Sequence, residues 1–144
     1  MGMMKGPIYF DTNVFIYAIE GHESHYQWLN ELFQYIASNQ MKVITSELTL
    51  AECLVKPIKD NNQAAVDGFK RHLQSSDSMQ MCQVTREILM RSAQVRCELS
   101  LKLPDAIHMA TAIEHTCQVF VSHDKKLKAP DGMLKLSMGD SYTL

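Results

Sequence analysis

Short apolar runs alternate with longer segments of helical spacing along the chain. β-Prone apolar runs predict strands, and apolar residues three or four positions apart predict helices between them. Strands that alternate with helices are typical of an α/β fold, in which helices cover both faces of a parallel sheet. We predict strands near Ile8–Phe10, Lys42–Thr45, Met79–Val84, Val119–Ser122 and Met133–Leu136.

The segments between these runs have the spacing of amphipathic helices. The clearest carries Leu29, Leu32 and Ile36 on one face. Because proline interrupts the hydrogen bonds of a helix, the helix that begins near Leu48 is expected to end before Pro57. The predicted helices are Val14–Ile19, His25–Ala37, Leu48–Val55, Gln63–Leu73, Arg86–Leu99 and Pro104–His115.

Three acidic residues lie where a predicted strand ends or a predicted helix begins, and a fourth lies inside a predicted helix. Asp11 directly follows the first strand, and Asp124 closely follows the fourth. Asp105 comes after Pro104, a residue favoured at the start of a helix, so it falls in a first helical turn. Glu52 lies inside a predicted helix among apolar neighbours. Because right-handed crossovers bring the carboxyl ends of parallel strands to one edge, we expect the four acids in one cleft.

Gathered carboxylates repel one another unless a cation lies between them. Mg²⁺ prefers oxygen ligands, and a bound divalent ion serves the hydrolysis of phosphate esters. Each acid alone has an ordinary explanation: Asp11 as a helix cap, Asp105 as a first-turn acid favoured by the helix dipole, Asp124 as a turn residue. The combination is what indicates a metal site.

Four short segments carry a family resemblance. They are Phe10–Asn13, Thr49–Glu52, Leu103–Ala112 and Val121–Asp124, and they span nearly the whole chain. In this order they resemble the PIN domain, and within it the VapC-like toxins of toxin–antitoxin pairs. The resemblance implies a five-stranded parallel sheet of strand order 3-2-1-4-5. It also implies a Mg²⁺- or Mn²⁺-dependent endoribonuclease that hydrolyses RNA phosphodiester bonds, forms a homodimer and has a cognate antitoxin protein.

The resemblance also carries over individual residues. Glu52 is expected to act through water, either in metal coordination or by orienting the attacking water. The fourth segment departs mildly from the family pattern, because Ser122 replaces a threonine and His123 stands where asparagine is common. The expected catalytic and metal-binding residues are Asp11, Glu52, Asp105 and Asp124, with Thr12, Asn13 and Ser122 in support.

Two further groups near the acids have open interpretations. Lys125, Lys126 and Lys128 follow the fourth acid and would either contact the RNA backbone or form an ordinary solvated turn. His108 lies one turn after Asp105 on the same helix face. Packing beside the cleft with one nitrogen satisfied is favoured for it over a role as a metal or substrate ligand.

Aromatic residues are concentrated in the second predicted helix. They could stack on bases, but their helical spacing favours packing in the core or at a dimer interface. The residues concerned are Tyr26, Trp28, Phe33 and Tyr35.

Composition narrows the class of protein. A length of 144 residues, 46% of them hydrophobic, suits one domain over 1–144 with a proper core. A net charge of −2 predicts weak electrostatic recruitment of nucleic acid rather than tight non-specific binding. No apolar run is long enough to span a bilayer and no signal peptide is recognisable, so we expect a cytoplasmic protein. The four cysteines are scattered and are expected to be reduced and mostly buried.

Three other functions compete with the nuclease. A PIN domain that no longer cuts would act as an RNA- or protein-binding module, which the sequence does not exclude. A haloacid-dehalogenase type phosphatase needs a second aspartate two residues after Asp11, where Asn13 stands. A receiver domain needs an acceptor aspartate, but Glu52 is the acid at the right distance and lies within a predicted helix.

Overall fold

A parallel sheet of five strands organises the part of the chain that the computed structural model describes, residues 6–21 and 23–140. The order is β3-β2-β1-β4-β5 and every neighbouring pair is parallel, so the predicted sheet and its 3-2-1-4-5 order are confirmed. The strands are β1 (Ile8–Phe10), β2 (Val43–Ser46), β3 (Met79–Cys82), β4 (Val119–Ser122) and β5 (Leu134–Ser137).

Helices connect these strands and cover the sheet. All the predicted helices are present: Arg86–Leu99 has the predicted bounds, and the others have ends shifted by up to four residues. None of the described helices combines the length and apolar character that crossing a membrane requires. They are α1 (Thr12–Glu20), α2 (Glu23–Ser38), α3 (Glu47–Lys59), α4 (Gln63–His72), α5 (Arg86–Leu99) and α6 (Leu103–Glu114).

The core divides into layers on the two faces of the sheet. Successive side chains of a strand point to opposite faces, so Ile8 and Phe10 of β1 pack on the side of α1, α2 and α4. Tyr9, between them, points to the other side and packs with residues of α5 and α6. Its ring stacks on that of Phe120, with centroids 5.0 Å apart. This burial on both faces makes the central strands continuous apolar runs.

The expected end of the third helix is wrong. Pro57 lies inside α3, is buried, and the helix continues to Lys59. A proline in the last turn removes its own backbone donor and crowds the carbonyl of the residue four positions earlier, but the chain beyond it still closes the helix. The backbone N–H of Asp60 donates to the carbonyl of Lys56, and that of Asn62 donates to the carbonyl of Pro57, both at 2.9 Å.

Strand ends also differ from the prediction. β2 extends to Ser46, whose side chain accepts a hydrogen bond from the backbone N–H of Leu48 at 3.0 Å and caps α3. β3 ends at Cys82 instead of Val84, and β5 begins at Leu134 instead of Met133. These shifts do not change the position of the acids relative to the ends of strands and the starts of helices.

The cysteines behave as small apolar residues. All four are free, and Cys53, Cys82 and Cys117 are buried whereas Cys97 is exposed. Burial raises the pKa of Cys53 and of Cys117 to about 12, and that of Cys82 to about 11. These three thiols are therefore neutral at physiological pH. The prediction that the cysteines are mostly buried is confirmed.

Candidate active site

Three aspartates lie at the carboxyl edge of the sheet or in the helix beside it. Asp11 follows β1 and is the N-cap residue of α1, with only 7% of its surface exposed. Asp124 lies two residues beyond β4, the neighbour of β1. Asp105 occupies the first turn of α6. Strand pairing thus puts Asp11 and Asp124 at one edge, and Glu52 on α3 lies close enough to Asp105 to raise its pKa.

Asp105 is the electrostatic centre of this group. Burial raises the pKa of Asp105, and the charges of Asp124 and Glu52 raise it further, while His108 and Lys102 oppose them. Asp124 and Glu52 therefore each lie within electrostatic range of Asp105. Among the described residues, none of the three aspartates forms an ion pair with a lysine or arginine.

Asp11 is the most deeply buried of the acids. Burial raises the pKa of Asp11; Ser122, His108 and the backbone N–H of Val14 lower it, and repulsion from Asp105 adds to the rise. Its Oδ1 atom is buried and has no hydrogen-bond partner in the described part of the chain. A buried carboxylate oxygen without a donor is costly, which suits a site where a cation completes the contacts.

Glu52 is held by hydrogen bonds to its Oε1 atom. The Thr12 hydroxyl donates to it at 2.6 Å, and Nε2 of His108 lies 2.7 Å from it. Burial raises the pKa of Glu52, but the hydrogen bonds with His108 and Thr12 outweigh this effect, so its pKa lies below the ordinary value. The pKa of Glu52 is thus lowered, whereas burial raises the pKa values of Asp11 and Asp105.

His108 connects Glu52 to the core of the sheet. Its side chain is buried, and Nδ1 lies 2.6 Å from the hydroxyl of Tyr9 on β1. Burial raises the pKa of Tyr9 well above its ordinary value, so the phenol keeps its proton and can donate it to Nδ1. A neutral imidazole that accepts at Nδ1 presents Nε2–H to Glu52 and, at 3.2 Å, to Thr12.

The expectation that His108 has only one satisfied nitrogen is wrong, because both nitrogens have partners. Sequence reasoning also missed Tyr9. Its partner lies 99 residues away along the chain, so only the pairing of β1 with the rest of the sheet brings the two together. The sequence indicated only that His108 lies near the acids, because its spacing from Asp105 puts both on one helix face.

The supporting polar residues differ in their contacts. Ser122 is fully buried, and its hydroxyl accepts from the backbone N–H of Asp124 at 3.0 Å. Oδ1 of Asp124 accepts from the backbone N–H of Lys126 at 2.9 Å, so Asp124 sits in a tight turn. Thr12 contacts Glu52 directly, whereas Asn13 is exposed on α1.

The PIN domain family matches residues 8–133, which is most of the chain. The chain belongs to this family. A comparison with curated protein sequences found no match. The match to the PIN family agrees with the resemblance read from the four sequence segments.

Solved structures share the fold of this PIN domain. VapBC2 from Rickettsia felis, bound to a DNA fragment of its promoter, is 20% identical with a TM-score of 0.69, covering 91% of this chain and 98% of that chain. A toxin–antitoxin complex from Klebsiella pneumoniae is 24% identical with a TM-score of 0.63, covering 89% and 96%. VapC20 from Mycobacterium tuberculosis, a toxin that cleaves the sarcin-ricin loop, is 19% identical with a TM-score of 0.62, covering 88% and 91%.

A cleft of about 500 Å³, called the acidic cleft below, opens beside two of the four predicted acids of this PIN domain. Asp105 and Asp124 line it together with Lys102, Lys126 and Lys128. A slightly larger cleft of about 590 Å³ lies near the amino ends of β2 and β3 and is mostly apolar. This larger cleft contains none of the four acids. The smaller cleft is therefore the one suited to chemistry on a charged substrate.

The fit of a divalent ion rests on oxygen atoms. Within residues 6–21 and 23–140, no three or more His, Cys, Asp or Glu side chains form a ready-made metal cage. Mg²⁺ does not require one, since it keeps several waters and is commonly held by one or two carboxylates together with substrate phosphate. The buried Oδ1 of Asp11, which lacks a partner, supplies the kind of donor that this ion prefers.

The aromatic residues of α2 mostly pack inward. Tyr35 is buried, the ring of Phe33 lies 5.9 Å from that of Phe10, and Nε1 of Trp28 donates to the carbonyl of Asp140 at 2.7 Å. Core packing is therefore confirmed for Tyr35, and the half-buried Trp28 packs against the same core. Phe33 and Tyr26 are exposed, with 37% and 64% of their surfaces accessible.

Proposed function

We propose that this PIN domain is a Mg²⁺- or Mn²⁺-dependent endoribonuclease and the toxin of a toxin–antitoxin pair. The observation that carries the proposal is the group of acids around Asp105, with the partnerless Oδ1 of Asp11 beside it. Carboxylates that raise one another's pKa reduce the stability of the fold, and a bound cation reverses that effect. Binding of a metal ion and phosphate would account for a group of carboxylates that costs stability on its own.

Each acid has a distinct expected role. Asp11, Asp105 and Asp124 would hold the ion directly or through water. When bound, the ion lowers the pKa of its water and stabilises charge on phosphoryl oxygens. The described hydrogen bonds of Glu52 all use Oε1, so Oε2 is available to accept a proton or to orient the attacking water. Attack of the water oxygen on phosphorus would break the bond between phosphorus and the 3′-oxygen. With a proton passing to that oxygen, the products are a 5′-phosphate and a 3′-hydroxyl.

Partners follow from the same proposal. The solved neighbours include toxin–antitoxin complexes, and we expect this chain to bind a cognate antitoxin as well. We also expect a cytoplasmic homodimer. Exposed apolar side chains on α5, Leu89 and Met90, are available for such contacts.

A non-cleaving PIN domain is the second candidate function. The lack of a ready-made metal cage in the described part of the chain is compatible with this function as well as with the nuclease. In that case the protein would bind RNA or a protein partner without hydrolysis.

Incubation of end-labelled RNA with the purified protein separates the two functions. We expect cleavage in Mg²⁺ or Mn²⁺, none in EDTA, and recovery when Mg²⁺ is restored in excess. The products should carry 5′-phosphates, detectable because they ligate without prior phosphorylation. Binding of RNA in both conditions with no cleavage in either would favour the binding module.

Neutralising the lysines that follow the fourth acid should weaken RNA binding. Lys126 and Lys128 line the acidic cleft and Lys125 is exposed beside them. Each lysine that contacts a phosphate contributes about one unit to the slope of log affinity against log salt concentration. We expect a variant with glutamine at all three positions to lose up to about three units of slope in a filter-binding titration.

The matched control places glutamine at Lys56, Lys59 and Lys70, which are exposed on α3 and α4. It changes net charge by the same amount away from the fourth acid. If both triple variants lost the same slope, net charge alone would explain the effect and the contact surface would be wrongly assigned.

A further inference from the structure

Three rings from separate elements meet at the surface. The ring of Tyr17 on α1 lies 4.8 Å from that of His25 on α2 and 4.9 Å from that of His123, just after β4. The rings of His25 and His123 are 5.4 Å apart. We call Tyr17, His25 and His123 the ring cluster. The sequence prediction looked for aromatic stacking on α2 alone and so missed it.

The ring cluster is arranged to display His123. The planes of Tyr17 and His123 are inclined by only 31°, and the Tyr17 hydroxyl lies 3.3 Å from Nε2 of His123. His25 meets both other rings edge-on, at 87° and 79°. His123 is exposed, whereas Tyr17 and His25 are half-buried. The imidazole of His123 thus packs against the ring of Tyr17 at a small angle and against His25 edge-on.

The position of His123 in the chain links the ring cluster to the acidic cleft. His123 directly precedes Asp124, and Lys126 and Lys128 line the cleft beyond it. The segment 123–128 therefore presents, in order, a supported flat ring, a carboxylate of the proposed metal site, and cations. A nucleic acid strand offers the complementary groups: a base, a reacting phosphate and flanking phosphates.

We propose that the ring cluster is a stacking site for one unpaired RNA base next to the phosphate that is cut. The inference rests on the proposed nuclease function and narrows its substrate to RNA with an unstacked base, such as a loop or single strand. Bases splayed out of a helix are commonly bound by stacking on aromatic or histidine side chains. One stacked base changes affinity by about 5- to 150-fold.

The test measures binding of short single-stranded RNAs that carry 2-aminopurine at successive positions. Binding is measured in EDTA, so that it does not depend on cleavage. We expect stacking on His123 to quench the fluorescence at one position. The variant H123A should lose this quench and bind about 5- to 150-fold more weakly. The conservative variant H123F should retain both the quench and the affinity, because it keeps a flat ring.

Two controls separate stacking from a structural role. Y26L removes an exposed aromatic side chain from α2 outside the ring cluster and should bind RNA as the wild type does. An RNA with an abasic site at the quenched position should bind H123A and wild type equally. A wild-type quench in H123A, or an equal loss of affinity for the abasic RNA, would overturn the stacking site.

Cleavage assays on the same proteins keep this inference distinct from the proposed function. If wild type cleaves RNA and H123A binds it unchanged, the stacking site is wrong and the nuclease stands. If H123A loses the quench while wild type never cleaves, the stacking site stands for a binding module and the nuclease proposal fails.

Discussion

The variant D105N is expected to lose RNA cleavage by more than about 100-fold and to unfold at a slightly higher temperature than wild type at neutral pH. Burial and the charges of Asp124 and Glu52 raise the pKa of Asp105, so its ionised form opposes folding when no cation is bound. Asparagine keeps the shape and removes the charge. Since Asp105 is partly exposed, we expect a rise in Tm of only about 1–3 °C.

The difference in Tm between D105N and wild type should depend on pH in a defined direction. A carboxyl whose folded pKa is raised binds its proton more tightly when folded, so its unfavourable contribution appears as pH rises above the ordinary aspartate pKa. The difference in Tm between D105N and wild type should therefore grow from acid to neutral pH and be absent below the ordinary pKa. Melting curves in EDTA at several pH values measure it.

The matched control is D131N, the same chemical change on an exposed loop residue outside the acidic cleft. It should cleave RNA and melt as wild type does. Cleavage by D105N at the wild-type rate would mean that Asp105 has no part in the chemistry.

The variant H108L is expected to lower kcat by about 10- to 100-fold, the usual effect of removing a side chain that orients a residue of a metal site. His108 holds Oε1 of Glu52 at 2.7 Å and is itself fixed by the Tyr9 hydroxyl at 2.6 Å. Leucine fills similar space but leaves the buried Tyr9 hydroxyl without this partner, which costs about 1–3 kcal/mol of stability. Steady-state kinetics and denaturant melts measure the two effects.

The free energy of unfolding at acid pH shows whether His108 orients Glu52 or only packs in the core. The pKa of Glu52 is lowered in the fold, so Glu52 contributes stability above its ordinary pKa that disappears as pH falls through the lowered value. In H108L this contribution should be reduced to the part that Thr12 supplies, and the stability gap to wild type should narrow toward acid pH. The variant Y9F, which removes only the hydroxyl, should show a smaller loss of kcat. A gap that is constant with pH, together with wild-type kcat, would reduce His108 to a core residue.

Local sequence was sufficient where a residue's position depends on one element. The buried runs at β1 and β4 predicted their strands, and the aspartates that follow them were placed correctly at the sheet edge. The strand order came from the family resemblance, because apolar spacing does not specify which strands are neighbours. Pro57 was misjudged because a helix tolerates proline in its last turn when the ring is buried, which depends on tertiary packing.

Contacts between distant elements could not be predicted. The Tyr9–His108 pair joins a strand and a helix 99 residues apart, and the ring cluster draws on α1, α2 and the loop after β4. Each requires the packing of helices on the sheet to be known. The same reason explains Glu52: its apolar neighbours indicated partial burial, but its partners Thr12 and His108 lie on other elements.

Calorimetric titration of the EDTA-stripped protein with Mn²⁺ tests the central claim most directly, because it needs neither the RNA target nor the antitoxin. We predict saturable binding to wild type and to D131N, a higher Tm in the bound form, and loss of both effects in D105N and D11N. If wild type took up no Mn²⁺ at millimolar concentration, or if D105N and D11N bound it equally well, the acids at this sheet edge would not be a metal site.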